Sequence, residues 1–189
     1  MAETLQILGI AGSLRRASYN RGLMRAAVEV APARMEIDVF DIAGLPLYDA
    51  DLDAAGPPEV VRRLKERLAA ADGLLIATPE YNYSIPGVLK NAIDWASRPP
   101  QSSPLRHKPV ALMGASPGGF GTVRSQLALR QVFVFTESYV LPKPELWVSR
   151  ASEHFDPEGT LTDDSVLDEI RRLLDAFAAW IALVGRARE

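Results

Sequence analysis

Short apolar runs alternate with amphipathic segments along the whole of this 189-residue chain, and that alternation admits few folds. Residues 6–11, 35–42, 74–78 and 110–114 read as strands. A last strand holds Tyr139-Val140-Leu141 and 145–148, bent at Pro142 and Pro144. Between them lie segments of helical spacing. Residues 19–31 carry Leu23, Ala26, Ala27 and Val30 on one face and stop at Pro32. Pro57-Pro58 opens a second helix, with Val60, Val61, Leu64 and Leu68 as its stripe and Gly73 as its end. Helices at 86–96 and 122–135 follow. A last one starts at Thr162 as N-cap and keeps Leu167, Ile170, Leu174, Phe177, Ile181 and Val184 in register. Residues 43–56 and 98–108 read as loops, and 149–160 is polar and irregular.

Five strands alternating with five helices are the mark of βαβ units. Leu74-Leu75-Ile76-Ala77-Thr78 is almost wholly apolar, as the buried middle of a parallel sheet requires. The expected fold is α/β: a flavodoxin-like three-layer sandwich with a five-stranded parallel sheet, formed by residues 1–189 as a single domain. In such folds a ligand sits beyond the carboxyl ends of the strands.

Composition narrows the function classes. The chain has no cysteine, which removes disulfides, thiolate metal sites and Cys nucleophiles together. His107 and His154 stand in separate polar connections without carboxylate-rich spacing, so no metal site is expected. Net charge is −3 with no basic block, which speaks against a nucleic-acid partner. No apolar run approaches the ~20 residues of a membrane span, and Met1-Ala2-Glu3-Thr4 lacks the character of a secretory signal, so no membrane partner and a cytoplasmic location are expected.

Three loops follow the first, third and fourth strands and should therefore meet at one edge of the sheet. The first, residues 12–20, combines Ser13, Arg15, Arg16, Ser18 and Asn20 at a strand-to-helix turn. It lacks the spacing of the dinucleotide fingerprint and of the Walker loop. What remains is an anion cradle of hydroxyls, arginine and a helix start, suited to one phosphate; an ordinary turn with Ser18 as cap is the plainer alternative. The second loop, 79–84, places Tyr81, Asn82 and Tyr83 between Pro79 and Pro86 and suits a flat polar ring. Glu80, with no histidine or second carboxylate beside it, reads as structural or solvent-facing rather than as an acid or base. The third, 116–121, is Ser-Pro-Gly-Gly-Phe-Gly and allows close backbone approach. Trp95, Trp147 and Trp180 read as core or interface, and Arg124 and Arg130 as surface, with a nicotinamide-phosphate or interface role as the lesser alternative.

At these three loops the chain resembles the NADPH-dependent FMN reductase family, which includes quinone, chromate and azo reductases. The resemblance rests on Gly12-Ser13-Leu14-Arg15-Arg16-Ala17-Ser18-Tyr19-Asn20, on the stretch from Thr78-Pro79-Glu80-Tyr81-Asn82-Tyr83-Ser84 to Asp94-Trp95, and on Gly118-Gly119-Phe120-Gly121-Thr122. It implies FMN as cofactor and NADPH or NADH as co-substrate. The phosphate would fall on Ser13, Arg15, Ser18 and Asn20. The ring would be lined by Pro79, Glu80, Tyr81, Asn82, Tyr83 and Ser84, with Ser116, Gly118 and Gly119 approaching from the other side. No side chain is expected to act as a catalytic group, because the flavin carries the electrons. The resemblance further implies a quinone or similar small-molecule acceptor (chromate, ferric, azo or flavin) and a homodimer or homotetramer. A flavodoxin-type electron carrier without its own NAD(P)H turnover is the alternative. Two arginines in the first loop and a mild net charge speak against it.

Overall fold

A computed structural model describes residues 4–186; Met1-Ala2-Glu3, on which the reading of the N-terminus partly rests, and residues 187–189 lie outside it. Among the described residues six strands form one parallel sheet. β1 (Leu5–Ala11) lies between β2 (Met35–Phe40) at the edge and β3 (Gly73–Ala77) in the middle. β4 (Pro109–Ala115) lies next to β3. β5 (Tyr139–Val140) pairs with the start of β4, and β6 (Leu146–Val148) pairs with its end. The order is therefore 2-1-3-4-5, with β6 prolonging the fifth position. The bend expected at Pro142 and Pro144 splits the last strand in two, since proline cannot donate to a ladder.

Side chains alternate across the sheet and build two cores. Ile7, Leu75, Ala111 and Met113 face one side, under α1 (Tyr19–Glu29) and α6 (Asp164–Arg186). Leu8, Ile10, Leu74, Ile76 and Leu112 face the other. There they meet Leu64 and Leu68 of α3 (Glu59–Ala70), Leu89 and Ile93 of α4 (Gly87–Ala96), and Leu129 and Phe133 of α5 (Val123–Phe135). This is the expected three-layer sandwich. Burial on both faces explains why β3 and β4 read as unbroken apolar runs.

Three local expectations are corrected. A short helix, α2 (Ala50–Ala54), stands within the stretch read as loop. It is set by Asp49, whose side chain accepts from the Asp51 N–H at 2.8 Å, with Asp51 and Asp53 favourable at the positive end. It buries no residue, so no apolar periodicity announces it. Gly73 does not end the preceding helix, which stops at Ala70. It opens β3, where a Cβ would lie 2.6 Å from Phe177 of α6. The N-cap of α6 is Asp163, not Thr162: Asp163 Oδ1 accepts from the Ser165 N–H at 2.8 Å, while the Thr162 hydroxyl donates to the His154 carbonyl. The ring nitrogen of His154 also meets the other Asp163 oxygen at 2.7 Å. Trp95 is fully buried and donates to the Pro46 carbonyl; Trp147 is exposed and Trp180 half-buried. Among the described residues no helix is long and apolar enough to cross a membrane.

Candidate functional site

All three loops emerge at the carboxyl edge of the sheet, and two close approaches lock them together. Gly12 continues β1 by donating to the Ala77 carbonyl at 2.8 Å, and a Cβ there would press on Leu89 and Pro79. Gly114 near the end of β4 leaves room for the Thr122 hydroxyl and the Thr78 carbonyl, both of which a Cβ would strike. The Thr78 and Ser125 hydroxyls meet at 2.9 Å beneath. The edge is thus packed at backbone level before any functional side chain is placed.

The first loop ends in the start of α1. Ser18 is its N-cap, in extended conformation, accepting from the Asn20 N–H at 3.2 Å. Ser13 accepts from the Arg15 N–H at 3.3 Å. Both hydroxyls are buried, and each keeps its own proton for a further acceptor. The first turn of α1 holds no acidic residue, so the positive helix end and its unpaired N–H groups stay open to an anion. Arg15 is exposed, its guanidinium 5.3 Å from the Tyr19 ring. Arg21 is committed elsewhere, to the Ser13 carbonyl and to Asp41 at 3.0 Å.

The Asn20 side chain lines the cleft and also bonds across it to β4. Its amide Nδ2 donates to the Ala115 carbonyl at 2.8 Å, and its Oδ1 accepts from the Ala115 N–H at 2.9 Å. The side chain, 2% exposed, acts as one more rung of the sheet, tying the first loop to the root of the third.

The second loop is a tight two-residue turn. Tyr81 and Ser84 exchange both backbone hydrogen bonds, at 3.1 and 2.9 Å. Asn82 and Tyr83 between them have φ of 49° and 67°, the signature of a type I′ turn. Glu80 is structural, not solvent-facing. Its carboxylate accepts from the Arg124 and Ser125 N–H groups at the start of α5 and pairs with the Arg124 guanidinium. Arg124, expected on the open surface, is half-buried by this pairing and by the rings of Tyr83 and Phe120.

The third loop is braced from behind. Ser116 donates to Val148 of β6, and Ala151 and Arg150 donate back to Ser116 and Gly118 at 3.0 and 3.1 Å. Residues 148–151, which carry no recognisable motif, thereby shape the site.

A cleft of about 320 Å³ lies between the loops. Ser13, Arg15, Ser18, Asn20, Pro79, Glu80, Tyr81 and Ser116 line it, as the sequence led one to expect, joined by Tyr19, Ala115 and Pro117. Asn82, Tyr83, Ser84, Gly118 and Gly119 are exposed and lie outside that lining. Neither Gly118 nor Gly119 has a positive φ or a crowded Cβ, so nothing within the chain demands glycine there. Tyr19 has a helix-face signal only, and its ring leans on Phe155 at 5.0 Å, a residue 136 positions away that no local pattern connects to it. A larger groove on the other flank of α1, about 460 Å³, is lined by Met24, Val28, Val39 and Phe40 and touches none of the three motif loops.

The cleft fits a phosphate joined to a flat ring. Hydroxyls, an arginine and an open helix start form one end; Pro79 and Tyr81 form the other.

Residues 5–153 match the model of the family described as NADPH-dependent FMN reductase. The chain is 49% identical, over 96% of its length and 97% of the relative's, to an NAD(P)H-dependent FMN reductase of Pseudomonas aeruginosa. It is 44% identical to a quinone reductase of Escherichia coli K12, covering 97% of this chain and 99% of that one. Among solved structures it superposes with a TM-score of 0.86 on an NAD(P)H:(acceptor) oxidoreductase of Paracoccus denitrificans, a flavoenzyme 36% identical that covers 95% of this chain and 98% of its own. The chain belongs to the NADPH-dependent FMN reductase family, a flavodoxin-like FMN enzyme that draws on NAD(P)H rather than a passive electron carrier.

Proposed function

We propose that the cleft between the three loops is the FMN site, with the phosphate on residues 12–20 and the ring between residues 79–84 and the third loop. The observation that carries this is the polarity of the cleft: buried Ser13 and Ser18 hydroxyls and an acid-free helix start at one end, Tyr81 and Pro79 at the other. FMN held there would supply the hydride and two-electron chemistry that links NAD(P)H to an acceptor. Ser13 and Ser18 would donate to its phosphate oxygens, Arg15 would add charge, and the helix dipole would favour the anion. Asn20 holds the first and third loops at a constant separation. Asn82, Tyr83, Ser84, Gly118 and Gly119 form the rim of the ring end, where a nicotinamide and then the acceptor can lie against exposed aromatic faces. A quinone is the acceptor class favoured by the relatives' names. A cytoplasmic setting suits a donor drawn from the cell's NAD(P)H, and residues 1–189 act as one binding domain.

The assembly is a homodimer or homotetramer. Its support is the outer face of α5, where Leu127, Val134 and Phe135 are exposed at helical spacing, an unusual outlay of apolar surface for a monomer. Light scattering of the wild type against Val134→Asp with Phe135→Asp tests it; an unchanged mass would refute that face.

The test of function is direct. Purified protein should be yellow, and NADPH added without oxygen should bleach it, with colour restored by a quinone. Ser13→Ala combined with Arg15→Ala should lose FMN while the circular dichroism of the fold persists. FMN affinity unchanged in that double variant would sink the phosphate assignment.

A further inference from the structure

The turn at the ring end of the cleft holds a backbone shape that its own residues do not favour. Asn82 and Tyr83 both lie in the left-handed region. Asparagine tolerates it; a tyrosine seldom does, because its Cβ crowds the following carbonyl. Burial does not hold Tyr83 in place, since it is 73% exposed. Two backbone hydrogen bonds between Tyr81 and Ser84 close the turn, and the Tyr83 ring has its own contact outside the cleft. The Arg124 guanidinium carbon sits 3.7 Å from the centroid of the Tyr83 ring, with the Phe120 ring at 5.0 Å. The same guanidinium pairs with Glu80, whose side chain is 5% exposed and which also receives the Arg124 N–H at 2.9 Å. Arg124 thus grips the turn at two points, just before it and within it. It is not part of the cleft lining.

We infer that Arg124 is the positioning residue of the flavin-facing turn. It holds Tyr83 in the left-handed conformation and so fixes Tyr81, two residues earlier, against the cleft, while leaving the phosphate end alone. This rests on the cleft being the FMN site and adds to it a residue that acts only through the turn. Arginine is suited to the task because one planar group can stack on a ring and bond a carboxylate at once. Lysine can keep the ion pair but not the stack.

The test is a double-mutant cycle with Tyr83→Gly, which removes both the strain and the ring. Arg124→Ala should weaken FMN binding about tenfold, of the order a partly desolvated cation–π contact supplies. It should also raise the KM for NADPH more than it lowers kcat, and alter the visible circular dichroism of bound flavin. Arg124→Lys should fall between Arg124→Ala and wild type. In the Tyr83→Gly background, Arg124→Ala should cost less than about twofold, because no strained tyrosine is left to hold. An equal cost in both backgrounds would show that Arg124 merely anchors α5 through Glu80, and would overturn the inference. Wild-type protein separates the two possible failures. If it binds no FMN, the site assignment falls; if wild type and Arg124→Ala bind FMN alike, only the positioning role does.

Discussion

Removing the Asn20 side chain should do more damage than its place beside a phosphate loop suggests. In Asn20→Ala the two hydrogen bonds to Ala115, at 2.8 and 2.9 Å, are lost together. Both Ala115 backbone groups stay at a buried strand end with no replacement. Each unpaired buried group costs about 1–3 kcal/mol, so the pair costs about 2–6 kcal/mol. Water entering from the adjoining cleft recovers part of this, leaving about 2–3 kcal/mol. For a chain of this length that is a fall in Tm of about 5–10 °C. Differential scanning of the FMN-free protein measures it. FMN affinity should fall as well, because nothing else found in the loops spans from residue 20 to residue 115. Asn20→Asp should be no rescue, since it sets a carboxylate against the Ala115 carbonyl. A Tm within about 2 °C of wild type for Asn20→Ala, well below the loss worked out above, would refute the reasoning.

Other expectations follow from neighbouring geometry. Gly114→Ala should be the more severe lesion, costing about 3 kcal/mol or more and giving little soluble protein, because its Cβ meets the Thr78 backbone carbonyl, which cannot swing aside; thermal unfolding and yield report it. Tyr81→Ala should slow turnover and disturb the bound flavin spectrum while leaving inorganic phosphate competition unchanged; an effect on phosphate alone would contradict the placing of the ring. Asp163 is held well below the usual carboxylate range by the Ser165 hydroxyl first and by His154 next. Its contribution to the start of α6 is therefore complete above the ordinary Asp pKa of about 4 and is lost as pH falls below it. Amide protection at Ser165 and Val166, taken relative to the intrinsic exchange rate at each pH, should fall through that acid range in wild type and stay flat in Asp163→Asn; parallel curves for the two proteins would exclude the linkage.

How far the site could be read from the chain depended on the distance over which its parts interact. Ser13, Arg15 and Ser18 are visible because strand end, turn and cap are neighbours in sequence, and helix-terminus physics is local. Tyr81 stands out because aromatic residues between prolines at a strand end are unusual. Glu80 was half legible: the absence of a partner acid or base nearby spoke for a structural role, but its actual partner, Arg124, lies 44 residues on. Asn20 sits in the right motif and bonds a residue 95 positions away. Gly118 and Gly119 carry the composition of a binding loop, yet the chain itself makes no demand for glycine at either.

The alternation of apolar runs and amphipathic segments by itself determined the class of fold, the parallel sheet and the edge where the loops converge. Those follow from burial and from the two periodicities of strand and helix, which any short window displays. Tertiary structure alone decided which polar groups are spent on the scaffold and which remain for a ligand. Asn20 and Glu80 spend hydrogen bonds on holding loops together, whereas the Ser13 and Ser18 hydroxyls accept from their own loop and keep their protons for another acceptor. Hydrogen-bond capacity is finite, and only the folded chain brings together the distant groups that compete for it.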